Sequence, residues 1–137
     1  MALTAVLLDT TAYSAHLRGH PGIVAAVRRA TLVGLSPIVL GELKTGFRRG
    51  SRLAQNLSEL ESFLSSPRVR VVPLTEATAD RYAAIMEALL RAGTPVPTND
   101  VWIAASAMEH GWPVLTTDEH YQKIPQVLTE LHEVRQR

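Results

Sequence analysis

The sequence predicts an α/β fold, a three-layer α/β/α sandwich around a mostly parallel sheet of four to five strands. Short apolar segments alternate along the chain with longer segments of helical periodicity, which is typical of βαβ units. The first of these segments is apolar throughout residues 5–8, as in strands that are buried on both faces of a parallel sheet. A length of 137 residues suits one domain, so we expect a single domain over residues 1–137.

In the first half of the chain, apolar runs and capping residues set the element boundaries. Ser36 and Pro37 combine a preferred N-cap with a preferred first helical residue, and the helix that they start is expected to end at Phe47. A break over residues 48–51 precedes an amphipathic helix. The predicted elements are a strand over 5–9, helices from Tyr13 and over 22–30, a strand over 32–36, and helices over 37–47 and 52–64.

In the second half, glycine and charge patterns mark the helix ends. Gly93 and Gly111 each follow a helical segment, as C-terminal glycines often do. Glu76 and Arg91 lie at the helix ends where the macrodipole favours their charges. The predicted elements are a strand over 69–73, helices over 75–93 and 99–110, a strand over 112–116, a helical turn over 119–123 and a last strand over 129–134.

Composition excludes several classes of function. The chain has no cysteine, which rules out disulfides, zinc–thiolate sites and thiol catalysis. Fourteen basic and thirteen acidic residues give a net charge of +1, so a nucleic-acid partner requires a local basic patch. No apolar run approaches the roughly 20 residues of a membrane span, and the N-terminus lacks the basic region of a secretory signal. We therefore expect a cytoplasmic protein with no membrane partner.

Four carboxylates are conspicuous because of their positions. Asp9 ends the first strand, Asp118 follows the fourth strand, and Asp100 lies in the first turn of a helix. Each of these aspartates could simply cap a helix or complement its dipole. However, Asp100 begins a helix that is apolar nearly all round, and Glu42 lies within the apolar segment 38–43. Buried carboxylates are rare unless they are paired or bind a cation.

These carboxylates can converge, because parallel strands bring their carboxyl ends to one edge of the sheet. Converging carboxylates repel one another unless some are protonated or a divalent cation binds between them. Oxygen ligands favour Mg²⁺ or Mn²⁺, and such sites hydrolyse phosphodiesters with one ion or two. Thr10 and Thr116 place hydroxyls beside Asp9 and Asp118, where they could orient a carboxylate or a water, or only end a strand.

The carboxylates occur in four segments that together extend over nearly the whole chain. The segments are Leu-Asp-Thr at 8–10, Ile-Val-Leu-Gly-Glu-Leu-Lys-Thr-Gly at 38–46, Asn-Asp-Val-Trp-Ile-Ala-Ala at 99–105 and Thr-Thr-Asp-Glu-His-Tyr at 116–121. In this order and at this spacing, they resemble the PIN-domain family, and within it the VapC-type toxins of bacterial toxin–antitoxin pairs.

The resemblance implies a PIN-like fold and a Mg²⁺- or Mn²⁺-dependent endoribonuclease that hydrolyses RNA phosphodiester bonds. It also implies neutralisation by a cognate VapB-like antitoxin, and commonly a homodimer. Glu42 would bind a metal through a water or orient the nucleophile, and no general base is assigned. The catalytic set that it implies is Asp9, Glu42, Asp100 and Asp118, with Asp9, Asp100 and Asp118 as metal ligands and Thr10, Asn99 and Thr116 in support.

An acidic site needs cations nearby if it is to bind RNA. Arg48, Arg49 and Arg52 follow the helix of Glu42 and are the candidate phosphate contacts, because guanidinium groups bind phosphate in a bidentate manner. The same cluster could equally be a solvated break between two helices. His120 lies in the last motif and could reach the mouth of the site. No second histidine stands at a metal-binding spacing, so we favour packing or capping as its role.

Other classes fit the sequence less well. Haloacid-dehalogenase-type phosphotransferases also open with a strand and an aspartate, but they carry a second aspartate where Thr11 stands. A response-regulator receiver needs an aspartate after the third strand, which here ends in Pro73. The alternative that we retain is a non-catalytic PIN-like module that binds RNA or protein, and the presence of all four acidic positions argues against it.

Overall fold

The computed structural model describes residues 4–134, so the ends of the predicted domain, residues 1–3 and 135–137, lie outside the described residues. Within the described part, five strands and six helices alternate, and a 3₁₀ turn over Glu119–Lys123 follows the fourth strand. The strands are β1 (Ala5–Leu8), β2 (Leu32–Leu35), β3 (Val69–Val71), β4 (Val114–Thr116) and β5 (Thr129–Leu131). The helices are α1 (Thr10–Leu17), α2 (Pro21–Arg29), α3 (Pro37–Arg49), α4 (Leu53–Leu64), α5 (Glu76–Ala92) and α6 (Thr98–His110).

The strands form one parallel sheet in the order β3-β2-β1-β4-β5, which confirms the predicted fold class. The chain first extends the sheet on one side of β1 and then returns to the other side of β1 for β4 and β5. Because such crossovers are right-handed, this reversal puts α5 and α6 on the face opposite to α1–α4. The reversal lies between β1 and β4, where open α/β sheets bind their ligands.

Helix α6 connects the hydrophobic core to this edge of the sheet. Val101 and residues 103–107 of α6 are buried, as the apolar sequence predicts. They pack into the same core as Leu7 and Leu8 of β1 and Leu115 of β4, which are fully buried. Since the buried run begins directly after Asp100, packing of α6 holds this aspartate at the edge of the core. In residues 4–134, no helix combines the length and apolar character that a membrane crossing requires.

The start of α1 differs from the prediction. The helix begins at Thr10 and not at Tyr13. The reason is that Asp9 is its N-cap: the Asp9 carboxylate accepts a hydrogen bond from the backbone N–H of Ala12 at 2.8 Å. An aspartate that satisfies this free N–H group lets the helix begin immediately after β1.

The end of α3 also differs from the prediction. The helix continues past Phe47 to Arg49, so Arg48 and Arg49 lie in its last turn and not in a break between helices. Basic residues favour this position because the carbonyl end of a helix carries partial negative charge. At the end of the chain, the last strand stops at Leu131, short of the predicted residue 134.

Candidate active site

The edge of the sheet between β1 and β4 brings the four predicted carboxylates together. Asp9 follows β1, Asp118 follows β4, Glu42 lies in the second turn of α3, and Asp100 lies in the first turn of α6. All four line one cleft of about 530 Å³. The cleft is completed by Thr10, Thr11, Pro97, Thr98, Asn99 and His120.

Asp9 is the most deeply buried of the four carboxylates, with only 3% of its surface exposed. One oxygen, Oδ1, accepts hydrogen bonds from the Thr11 hydroxyl at 2.7 Å and from the Ala12 N–H. The other oxygen, Oδ2, accepts from the Thr116 hydroxyl at 2.6 Å. Burial raises the pKa of Asp9 from 3.8 to about 6, against the effect of these hydrogen bonds, and the nearby charge of Asp100 adds to the rise. Asp9 is therefore a helix cap and a cleft residue at once.

Thr116 connects two of the carboxylates. Its side chain is fully buried in β4, and its hydroxyl donates to Asp9 and accepts from the backbone N–H of Asp118 at 2.9 Å. Thr11, which is not among the predicted supporting residues, joins this network by accepting from the N–H of Thr117 at 3.1 Å. Thr116 therefore contacts both the side chain of Asp9 and the backbone of Asp118, and Thr11 extends this network.

Glu42 is held by the two other predicted supporting residues. Its Oε1 accepts from the Thr10 hydroxyl at 2.5 Å, and its Oε2 accepts from the side-chain amide of Asn99 at 3.3 Å. Thr10 therefore orients Glu42, and not Asp9 beside it in the sequence. The two partners come from α1 and α6, so the position of Glu42 depends on how three helices pack.

Asp100 and Asp118 face each other across the imidazole of His120. The His120 Nδ1 lies 2.9 Å from Asp100 Oδ2 and 3.1 Å from Asp118 Oδ2. Burial raises the pKa of Asp100, the hydrogen bond from His120 opposes that rise, and the charges of Asp118 and Glu42 add to it. Of the two roles that the sequence allows for His120, packing or capping was favoured over a place at the mouth of the site, and the structure places its imidazole in the cleft, against both carboxylates. Its place two residues after Asp118, in a tight turn, was the available signal.

The donor groups in the cleft fit a divalent cation. Asp100, Asp118 and His120 each offer one ligand atom, and these atoms lie within 4.8 Å of one another. Burial and mutual repulsion raise the pKa values of Asp9 and Asp100, and a cation between such groups would relieve that repulsion. Asp9 presents its carboxylate from the buried side of the cleft, where the network of Thr11 and Thr116 fixes it.

The three predicted RNA-binding arginines lie in unequal positions. Arg49 lines a groove of about 640 Å³ that shares Glu42 and Asn99 with the cleft and therefore adjoins it. Arg48 is exposed in the same turn of α3. Arg52 precedes α4, and its Nε donates to the Gln55 side chain at 3.2 Å. Among these arginines, Arg49 is thus the one that the described structure places in a groove next to the carboxylates.

The fold and the cleft together define a class: α/β proteins with a cluster of carboxylates at the carboxyl edge of a parallel sheet. Within this class, the chain belongs to the PIN-domain family, whose sequence model matches residues 6–127. This confirms the predicted family.

Relatives with curated names extend the comparison. The chain is 34% identical over 94 residues to Ribonuclease VapC4 of Mycobacterium tuberculosis, which covers 69% of this chain and 72% of that protein. It is 31% identical over 120 residues to Ribonuclease VapC5 of the same organism, with 84% of each chain covered.

Solved structures share the fold. VapBC of Salmonella typhimurium bound to DNA matches with a TM-score of 0.82 and 28% identity, over 94% of this chain and 98% of that one. A Mycobacterium tuberculosis member of the VapBC family of toxin–antitoxin systems matches with a TM-score of 0.73 and 27% identity, over 96% and 99%. FitAcB of Neisseria gonorrhoeae matches with a TM-score of 0.75 and 30% identity, over 90% and 95%.

Proposed function

We propose that this protein is a VapC-like endoribonuclease toxin that hydrolyses RNA phosphodiester bonds with the help of Mg²⁺ or Mn²⁺. The observation that carries the proposal is the convergence of Asp9, Glu42, Asp100 and Asp118 in one cleft of a PIN-domain sheet. The ribonuclease names of relatives at 34% and 31% identity support the reaction class.

In this proposal, Asp9, Asp100 and Asp118 hold the cation, since Mg²⁺ and Mn²⁺ favour carboxylate oxygens. A divalent ion in such a site lowers the pKa of a water molecule and neutralises charge on the phosphate. The protein's own contribution is rigidity: Thr116 and Thr11 fix both oxygens of Asp9, so the carboxylate needs little reorganisation when the cation binds.

Glu42 has the role of orienting the attacking water. Thr10 and Asn99 hold one oxygen each of its carboxylate, and each oxygen retains a free lone pair that can accept a hydrogen bond from water. The oriented water adds to phosphorus and the bond from phosphorus to the leaving oxygen of the RNA breaks. One proton of the water ends on the leaving oxygen, and the other passes from the new phosphate to solvent. Fixing the direction of attack is worth a large part of the rate in hydrolytic enzymes.

Arg48, Arg49 and Arg52 bind RNA phosphates in this proposal, and Arg49 is the main contact because it lines the groove next to Glu42. Cations beside the cleft offset the repulsion between four carboxylates and the RNA backbone. Arginine suits this role because its planar guanidinium matches the geometry of a phosphate.

We also propose that a VapB-like antitoxin neutralises the protein, that residues 1–137 act as one domain, and that the toxin forms a homodimer in the cytoplasm. The structural relatives titled as VapBC support the antitoxin. Two leucines of α4, Leu53 and Leu57, are each 36% exposed and offer apolar surface to a partner chain. The cytoplasm is the compartment in which the proposed RNA substrate is found.

The test is cleavage of labelled RNA by the purified protein with Mg²⁺, with Mn²⁺ and with a chelator. We expect cleavage with either ion, and loss of cleavage in the chelator and in Asp100→Asn. A parent protein that binds RNA and leaves it intact with either ion would favour the non-catalytic module. Sequencing the RNA ends after brief expression in a bacterial host, with Asp100→Asn as the control, then identifies the substrate.

A further inference from the structure

We propose that His120 is itself a metal ligand, and that Asp100, Asp118 and His120 form a site with mixed oxygen and nitrogen donors that prefers a first-row transition ion, such as Mn²⁺, over Mg²⁺. The inference rests on the proposed function only in placing a divalent cation in the cleft. It adds a residue and a preference among ions that the carboxylates alone do not imply.

The distances around His120 suit ligands of one ion. Its Nδ1 is 2.9 Å from Asp100 Oδ2 and 3.1 Å from Asp118 Oδ2. In octahedral coordination with bonds of about 2.1 Å, neighbouring ligand atoms lie about 3 Å apart. Both distances from Nδ1 therefore have the spacing of adjacent ligands, and one ligand atom from each of the three residues lies within 4.8 Å of the other two. A cation can replace the proton that Nδ1 shares with the carboxylates.

The Asp100 and Asp118 carboxylates are each held through Oδ1, so that Oδ2 remains available to bind the cation. Asp118 Oδ1 accepts from the backbone N–H of His120 at 2.9 Å, and Asp100 Oδ1 is 3.4 Å from the Tyr121 hydroxyl, which donates to it. In each case, the Oδ2 atom is the one that faces the imidazole. Groups outside the ligand set that fix ligands in this way usually strengthen metal binding.

The turn that carries His120 is anchored independently of the cation. Tyr121 is fully buried in the core, and the 3₁₀ turn over Glu119–Lys123 packs on α6, the helix of Asp100. The buried tyrosine therefore limits the positions that the neighbouring imidazole can reach. The His120 side chain is 42% exposed, which leaves the cleft open to ions from solution.

A nitrogen ligand changes which ions bind well. Mg²⁺ takes oxygen ligands and keeps several of its waters, so an imidazole adds little to its affinity. First-row transition ions accept an imidazole ligand more readily than Mg²⁺ does, with Mn²⁺ the weakest binder of that series. His120 therefore determines specificity for the ion, in addition to any effect on affinity.

The test uses the whole chain and the metal alone, without RNA. Pulsed electron paramagnetic resonance of the Mn²⁺-loaded protein is expected to show coupling to a directly bound ¹⁴N nucleus. The coupling is expected to vanish in His120→Ala and in His120→Asp, and to persist in His132→Ala. His132 is a matched control because its imidazole also contacts a carboxylate, that of Glu130 at 2.7 Å, outside the cleft.

Calorimetric titration with MnCl₂ and MgCl₂ measures the preference between ions. We expect His120→Ala to weaken Mn²⁺ binding by about 10-fold or more, and to weaken Mg²⁺ binding clearly less. In His120→Asp, an all-oxygen site, the two affinities are expected to approach each other. Thermal unfolding of each variant in a chelator separates loss of the ligand from loss of the fold.

Two results would overturn the inference: Mn²⁺ binding by the parent without ¹⁴N coupling, or equal weakening of Mn²⁺ and Mg²⁺ binding in His120→Ala. In either case, His120 acts only as a hydrogen-bond partner of the two aspartates. RNA cleavage is a separate readout. A protein that cleaves RNA without nitrogen coupling refutes the inference alone, and one that shows the coupling but cleaves no RNA refutes the proposed function alone.

Discussion

The acidic cleft and the groove beside it share Glu42 and Asn99, yet they are built in opposite ways. The cleft is lined by side chains that are fixed by hydrogen bonds, and Asp9 is almost fully buried. The groove is lined by exposed residues of α3, including Gly41, Gly46 and Arg49. The difference indicates that the cleft is built for fixed geometry, whereas the groove offers space and positive charge.

The cleft costs folding free energy because it buries a carboxylate. A buried carboxylate loses hydration, and this loss is the main reason why the pKa of Asp9 is raised. In the groove, a methyl group added at Gly41 or Gly46 would meet no other atom within 4 Å, so packing does not require glycine there. Glycine inside a helix costs stability relative to alanine, so both positions leave α3 less stable than its packing would allow.

The largest expected effect comes from changing the buried side of the cleft. Asp9→Asn keeps the shape of the side chain but removes its charge, so the cation loses a ligand. RNA cleavage is expected to fall by at least about 100-fold, because loss of a ligand costs more than loss of a residue that only supports one. Single-turnover cleavage of labelled RNA measures the effect. Asp80→Asn, an exposed change on α5, is the control, and equal rates for Asp9→Asn and the parent would remove Asp9 from the site.

The second prediction concerns the pH dependence of stability without metal. Because the pKa of Asp9 rises from 3.8 to about 6 on folding, the folded protein binds its proton more tightly than the unfolded chain does. Protonation of Asp9 therefore adds about 3 kcal/mol to the free energy of unfolding. This stabilisation is complete below about pH 4 and is lost as the pH rises through about 6.

Urea unfolding in a chelator at several pH values measures this effect. The free energy of unfolding of the parent is expected to fall relative to that of Asp9→Asn between pH 4 and pH 6, and to run parallel to it above that range. Parallel curves throughout would show that burial of Asp9 does not control its ionisation. Excess Mg²⁺ or Mn²⁺ should reduce the loss at high pH, because the ion stabilises the charged carboxylate.

A smaller effect is expected from the groove. Arg49→Ala is expected to weaken RNA binding several-fold and to reduce the slope of log affinity against log salt by about 0.7, the value for one phosphate contact with a single strand. Arg48→Ala and Arg52→Ala are expected to have weaker effects, since neither residue lines the groove. Binding titrations at several salt concentrations measure the slopes.

The control for the groove is Arg81→Ala. Arg81 is near the start of α5, one turn after Thr78, and the Thr78 hydroxyl contacts Glu109. Glu109 is near the end of α6, whereas Asp100 is in its first turn, so Arg81 lies far from the cleft. Its replacement is expected to leave the slope unchanged. If replacement of Arg48, Arg49 and Arg52 together by alanine also leaves the slope unchanged, the RNA path lies on another surface.

The smallest effect is expected from Gly46→Ala. The added methyl group meets open space, so α3 should gain about 0.5–1 kcal/mol of stability, while the narrower groove should bind RNA less tightly. Gly34→Ala should instead destabilise the fold, because its Cβ would lie 2.8 Å from a Trp112 ring atom and 2.9 Å from Val72 Cγ2. Urea unfolding and RNA titration measure the two effects, and a Gly46→Ala protein of higher stability with unchanged RNA affinity would exclude the groove as the RNA path.

Much of this molecule is determined by local sequence. The alternation of apolar strands and amphipathic helices predicted the parallel sheet, and the chain positions of Asp9 and Asp118 just after strands predicted their place at its carboxyl edge. Periodicity and capping act over a few residues, which is why these features can be inferred without a structure. Capping also acts over a few residues, and Asp9 and Asp118 do cap the helix and the 3₁₀ turn that follow them.

The partners of each carboxylate were decided only by the tertiary structure. Thr116 reaches Asp9 across 107 positions of the chain because β1 and β4 pair in one register, and Asn99 reaches Glu42 because α3 packs on α6. His120 faces Asp100 only because the turn after β4 rests on that same helix. Such contacts depend on register and packing between distant segments, and no local pattern in the sequence contains that information.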